Sequence, residues 1–240
     1  MRGRTHRRLA VLGFHKIGDP PGGEDSWFYV SATAFTNCLE WLEVHGWQVI
    51  SAFEFLEGLA RPEKLPAKSV LLTFDDGYLS MCRVAVPLLT RFHAPAVLFV
   101  PTAFVGGTNA FDAGIEPEEV MCGWEDLRAL HESMVSVQSH GTTHTGWSSL
   151  DECGRDRDLA DSKAELERGV GHTVDMFSFP YGDCGDSPTR AAAALRRAGY
   201  RAAFLFRGGA VSLPVAHPYA IERIPIGPDS KLDQLLGESA

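Results

Sequence analysis

No stretch of this 240-residue chain is apolar for long enough to cross a membrane. The apolar run Leu9–Phe14 is too short for the core of an export signal and runs straight into His15 and Lys16. Cysteine is scarce and odd in number. The five residues (Cys38, Cys82, Cys122, Cys153, Cys184) form no CxxC, which argues against a disulfide framework or a zinc knuckle and predicts reduced thiols. Positive charge is in deficit, with 22 Lys and Arg against 31 Asp and Glu and a net charge of −9. That balance speaks against nucleic acid as the main partner and offers no attraction toward an anionic membrane surface. The basic start MRGRTHRR is the local exception and reads as a flexible tail over residues 1–8. Repeats and low-complexity tracts are missing as well, so solenoid and fibrous architectures are excluded. Together these absences predict a cytoplasmic protein with neither a membrane nor a nucleic acid as partner.

What the chain does contain is a regular alternation of two periodicities. Apolar strand-like runs occur at 9–15, 69–76, 95–100, 134–140, 176–182, 200–206 and 219–226. Helical patterns lie between them, at 32–46, from Ser51 onward, at about 79–92, 124–132, 151–169 and 187–199, with a short last one near 230–239. Gly46 and Gly199 mark two helix ends, and Pro188 marks a helix start. Strands separated by helices throughout imply a parallel sheet covered by helices. Without an internal linker, residues 9–240 read as one α/β domain, a closed or nearly closed β/α barrel. In such barrels the chemistry gathers at the carboxyl ends of the strands.

The polar residues at those ends stand out. LLTFDDGY places Asp75 and Asp76 together at the end of an apolar run. Two adjacent carboxylates in a buried setting are costly to hold ionised. His15, His140 and Tyr181 close three other predicted strands, and His144 follows His140 in HGTTH. Each feature alone has an ordinary explanation: a turn, a chance HxxxH, a hydrogen-bonded core histidine. On one rim, however, one carboxylate and two imidazoles form a facial set for Zn2+ or another divalent transition metal, with coordination positions left open. A cation bound by Asp76 would compensate the acidic pair. Neighbours on a strand point to opposite faces, so the chain must turn for both carboxylates to reach one pocket. Gly77 is the residue expected to allow it.

At this point the sequence resembles the polysaccharide deacetylases of the NodB-homology type, over nearly the whole chain. TFDDGY is similar to that family's first motif, SHGTTH to its second and FSFPYG to its third. The start VLGFHKIGDPP is similar to the branch typified by poly-N-acetylglucosamine deacetylases, which carry an acidic-role histidine on the first strand. The resemblance implies a distorted (β/α)7-type barrel, Asp75 as catalytic base and Asp76, His140 and His144 as metal ligands. It also implies His15 as catalytic acid, and Tyr181 with Pro180 at the oxyanion and substrate-binding position. Two departures are visible: Gly141 stands where Ser or Thr usually follows the first histidine, and Ser178 stands where many relatives have an Arg that pairs with the base. Arg223 is the candidate to orient Asp75 in its place, and His217 is the C-terminal alternative to His15.

The implied reaction is metal-dependent removal of an N-acetyl group from an N-acetylated sugar or sugar conjugate, releasing acetate and a free amine. Trp124, Trp147 and Tyr181 are candidate stacking walls. With a cytoplasmic location expected, the substrate partner is expected to be a small N-acetylated sugar or glycoside. The loop from Val105 to Met121 is long enough to close over it. The same residues leave open an amidohydrolase acting on a non-sugar amide, an Mg2+ protein built on the acid pair, and an inactive carbohydrate-binding barrel.

Overall fold

The computed structural model describes residues 7–23, 26–211 and 213–237, without the side chains of His131 and Glu132. Most of the basic start, residues 1–6, lies outside the described residues. Arg8, assigned above to the tail, is instead the first residue of strand β1 (Arg8–Phe14), where it sits opposite Lys68.

After β1 come the short strands β2 (Lys16–Ile17) and β3 (Tyr29–Val30), helix α1 (Ala32–Val44), β4 (Gln48–Val49), α2 (Ala52–Ala60) and β5 (Lys68–Phe74). Helix α3 (Val86–Arg91), β6 (Ala96–Val100), α4 (Trp124–Glu132), β7 (Val135–Ser139) and α5 (Glu152–Val170) follow. The chain ends with β8 (Met176–Ser178), α6 (Pro188–Arg197), β9 (Ala202–Phe204), β10 (Ile224–Pro225) and α7 (Leu232–Leu235). The main sheet is parallel in the order β10-β1-β5-β6-β7-β8-β9. β4 pairs with the first half of β5 and β6 with the second half. The sheet curls until the segment entering β10 meets β9 through a parallel bridge between Phe204 and Ile221. The expected distorted β/α barrel is therefore what the chain forms.

Alternation along the strands divides the apolar side chains between two cores. Leu9, Val11, Leu71, Val97, Phe99 and Phe204 join Phe55 and Leu56 of α2 in one cluster. Their neighbours Ala10, Leu12, Val70, Leu72, Leu98 and Val137 belong to the other, packed with α1, α4 and α5. The residues of β1 and β5 are buried on both faces after their first position, as parallel strands require.

Several local expectations hold and others shift. Ser51 caps α2 in a reciprocal box with Glu54, and Gly46 follows α1 at φ 72°. The helix expected over 79–92 opens with a π turn, Met81–Ala85, before α3. Pro87 explains this: it lacks an N–H and its ring crowds the carbonyl four residues back, so the chain widens there. The run 176–182 is strand only to Ser178, then a tight turn over Pro180–Gly182. Among the described residues, no helix is long and apolar enough to cross a membrane.

Candidate active site

His15 follows β1 directly, Asp75 and Asp76 follow β5, and His140 follows β7. The Asp75 N–H donates to the Phe14 carbonyl at 2.9 Å, which sets the first two of these loops side by side. With His144 and Tyr181, all of them line one cavity of about 230 Å3.

The turn that brings both carboxylates into this cavity begins one residue earlier than expected. Asp76 itself has φ 74°, and Gly77 continues the left-handed path at φ 84°. Asp75 keeps the inward direction of its strand, and Asp76 is rotated into the same space. His144 (φ 54°) and Tyr181 (φ 58°) share this uncommon backbone region. Three of the four non-glycine residues with positive φ among the described residues thus belong to the site, as expected where geometry is held for function.

Asp76, His140 and His144 are all buried, and their facing ligand atoms lie within 4.8 Å of one another. Asp76 Oδ1 is 3.4 Å from His140 Nε2 and 3.2 Å from His144 Nε2. His140 Nδ1–H donates to the Ser178 carbonyl at 2.7 Å, which leaves Nε2 as the free lone pair. His144 Nδ1 faces the Tyr181 hydroxyl at 3.2 Å. The Asp76 Oδ1 atom is buried without a hydrogen-bond partner. Burial opposes the charge of Asp76, yet His144, His140 and His15 hold its carboxyl well below the usual range. Burial likewise opposes the charge of His140, but the two aspartates and the Ser178 carbonyl raise its pKa. An orphaned carboxylate oxygen facing two correctly turned imidazoles fits a divalent transition metal.

Arg223 is fully buried and grips Asp75 with both arms of its guanidinium, Nη1 to Oδ1 at 2.7 Å and Nη2 to Oδ2 at 2.6 Å. Nη1 also donates to Thr73 Oγ1, Nη2 to Ser178 Oγ and Nε to the Leu205 carbonyl, so every arm has an acceptor. Phe99 and Phe206 flank the guanidinium with ring centroids at 5.5 and 5.0 Å. Ser178, the departure from the third motif, leaves room for this side chain and accepts from it at 2.8 Å. Burial alone would push the Asp75 carboxyl up; Arg223, His140 and His15 outweigh it and hold it below the usual range.

His15 stands edge-on between Phe28 and Phe206, with ring centroids at 4.9 and 4.7 Å, and its buried Nδ1 has no hydrogen-bond partner. Burial lowers its pKa, against the pull of Asp76 and Asp75. His217 is exposed and does not line the cavity. Gly141 is explained locally: its φ is 79°, and a Cβ there would sit 2.7 Å from Asp158 Oδ2, whose partner oxygen accepts the Thr142 N–H.

Three residues singled out from the sequence lie outside the cavity lining. Trp147 is buried against Phe179, and Trp124 packs over Gly169, so neither lines the cavity. Pro180 is buried outside the lining; its carbonyl accepts from Asp183, and it shapes the turn that presents Tyr181. The five cysteines are free thiols, as expected, with Cys82 and Cys122 in sulfur contact at 3.4 Å. The residues missed are Phe28, Phe206 and Asp112. Phe206 ends a predicted strand run and had that signal; Phe28 and Asp112 sit in loops with no motif around them.

A curled parallel β/α sheet with a carboxylate–imidazole trio beside an Arg-clamped aspartate defines a hydrolase-type site at the strands' carboxyl ends. The polysaccharide deacetylase family profile matches residues 63–203, and the chain belongs to that family. The chain is 23% identical to the poly-beta-1,6-N-acetyl-D-glucosamine N-deacetylase of Staphylococcus epidermidis, over 85% of its own length and 70% of the relative's. Among solved structures it is similar to IcaB from Ammonifex degensii, with TM-score 0.78 and 27% identity over 93% of this chain and 94% of that one. The Streptococcus pyogenes deacetylase PplD, solved in complex with acetate, shares the fold at TM-score 0.82 and 20% identity, over 97% and 98% of the two chains.

Proposed function

We propose that this protein is a metal-dependent N-deacetylase acting on an N-acetylglucosamine-type polysaccharide. The observation that carries the reading is the meeting, in one cavity, of the Asp76–His140–His144 trio, the Arg223-clamped Asp75 and the unpartnered His15. A divalent cation held by the trio would supply Lewis acidity toward the acetyl group and water.

The chain's own groups would do the rest. Asp75, kept ionised by Arg223, takes a proton from the attacking water. Its two oxygens are fixed by the bidentate clamp, so it is oriented before substrate arrives. The Tyr181 backbone N–H, which makes no hydrogen bond among the described residues, is the donor available to a developing oxyanion. His15 delivers a proton to the departing nitrogen. The environments of Asp75 and His15 push their pKa values in ways that suit opposite tasks: a carboxylate that stays ionised, and an imidazolium made more acidic by its aromatic cage.

The surroundings favour a polymer over the small glycoside expected from sequence. Trp27, 45% exposed, packs edge-on against Phe28 and Phe206 beside the cavity, and Tyr181, 66% exposed, lines it. Exposed aromatic faces next to a catalytic pocket suit stacking on successive sugar rings. The relative named above as a poly-beta-1,6-N-acetyl-D-glucosamine N-deacetylase points the same way. The test is acetate release by the zinc-loaded protein from β-1,6-linked N-acetylglucosamine oligomers of one to six units. We expect kcat/KM to climb with length; the highest value on the single sugar would overturn the polymer reading.

A further inference from the structure

Three carboxylates face the cavity, and two of them already have work. Asp75 is taken up on both oxygens by Arg223, and Asp76 faces the two imidazoles. Asp112 is the third. Its Oδ2 accepts from the Tyr78 hydroxyl at 3.2 Å, while its Oδ1 has no hydrogen bond and its carboxylate no ion pair among the described residues.

Asp112 is also held unusually firmly for a residue in a long loop. Its carbonyl accepts from Ile115 and Glu116 N–H, and its own N–H donates to Asn109. The Asn109 side chain bridges Pro117 and Glu119 across the loop. Glu116 takes the ammonium of Lys16, which is 1% exposed and lies next to His15, and also the Ser26 hydroxyl. Glu119 takes the Tyr29 hydroxyl at 2.8 Å. The loop is therefore tied to β2 and β3 and to the turn after β5. A buried ammonium spent on fixing a surface loop makes sense if the loop presents something to the site.

We propose that Asp112 is a substrate-binding residue that accepts hydrogen bonds from ring hydroxyls of the sugar unit carrying the N-acetyl group. This rests on the deacetylase reading above. Apart from the two aspartates and three histidines already placed, the cavity's other lining residues are aromatic (Phe28, Phe206, Tyr181), and such rings stack on sugar faces but offer a hydroxyl no strong acceptor. A pre-positioned carboxylate with a free oxygen does, and charged acceptors form the stronger hydrogen bonds. Asp112 would thereby select sugars over simple acetamides, which lack those hydroxyls.

The experiment compares wild type, Asp112→Asn and Tyr78→Phe. Binding of a β-1,6-linked N-acetylglucosamine tetramer to metal-free protein is measured by calorimetry, and kinetics of the zinc-loaded forms on the tetramer and on 4-methylumbelliferyl acetate. Asp112→Asn should weaken tetramer binding roughly 10- to 100-fold, the range for a charge-assisted hydrogen bond. It should keep its zinc, and its loss of kcat/KM on the tetramer should exceed that on the aryl acetate at least tenfold. Tyr78→Phe should weaken binding by less than about threefold, because it removes the donor behind the carboxylate, a hydroxyl that also lies near Asp76, and leaves the Asp112 carboxylate in place. An equal loss in Tyr78→Phe would make Asp112 a loop-holding residue and overturn the proposal, as would zinc loss in Asp112→Asn or undiminished tetramer binding. If wild type neither binds nor deacetylates the tetramer, the deacetylase reading fails first and this inference with it.

Discussion

Replacing Arg223 with Met tests the centre of the site without touching the Asp76–His140–His144 trio. The substitution keeps much of the volume but leaves Asp75 buried without its counter-charge, and the Leu205 carbonyl without its donor. Breaking a buried ion pair from one side costs about 3–5 kcal/mol, a large share of the 5–15 kcal/mol typical of a whole domain. For a chain of this size that corresponds to a drop in Tm of about 6–20 °C, at roughly 2–4 °C per kcal/mol. The loss has a pH signature. In wild type the Asp75 carboxyl is held below its ordinary value, so its stabilisation is present above the unfolded pKa and fades as pH falls through the lower folded value. In the variant, burial is opposed only by the histidines, and the carboxyl rises. The penalty is then full at neutral pH and is relieved as acidification protonates Asp75. Urea unfolding of metal-free protein at pH 7.5 and pH 5 should show the gap between wild type and variant narrowing at the lower pH. Adding Asp75→Asn to the variant should recover stability, with a coupling above about 2 kcal/mol in the double-mutant cycle. A gap independent of pH, together with additivity within about 0.5 kcal/mol, would refute the assigned pairing.

Other outcomes follow from the same geometry. Asp76→Ala, His140→Ala and His144→Ala should each lose most bound zinc by elemental analysis, whereas Asp75→Asn should keep zinc and lose turnover; full zinc in His140→Ala would sink the trio. His15→Ala should cripple amide hydrolysis yet largely spare an activated ester of the same acyl group, whose leaving group needs no proton. Phe206→Ala should let water reach His15 and raise its lowered pKa, moving the basic limb of kcat/KM upward, because a general acid works only below its pKa. A basic limb that stays put would assign it to another group. Gly141→Ser places a Cβ against Asp158 at a left-handed position, and should cost about 1–3 kcal/mol and loosen zinc binding through the neighbouring His140. Unchanged zinc affinity would show the turn to be unimportant for the ligands.

Much of this protein was legible in the residues themselves. The alternation of strand and helix periods marks a parallel β/α architecture because each period reflects which faces the backbone must bury. The acidic pair, the HGTTH segment, the FPYG turn and His15 each close a strand run, and strand ends of such a sheet converge on one rim whatever the loops do. Even the pairing of Arg223 with Asp75, 148 residues apart, was open to inference, since a third motif with Ser178 lacks a cation for its acid. Other features were decided only when distant segments met. That Asp76, not Gly77 alone, takes the left-handed turn depends on a site that holds its strain in place. Trp124 and Trp147 look like sugar platforms in one dimension, but Trp124 packs over Gly169 of α5 and Trp147 is buried against Phe179, both away from the cavity. Phe28 and Asp112 carry no local signal, because a loop residue acquires a role from what it faces, and facing is set by contacts such as Lys16 with Glu116, 100 residues apart. Periodicity records what a segment buries against its own sheet; the walls of a pocket are chosen by the closure of the whole barrel.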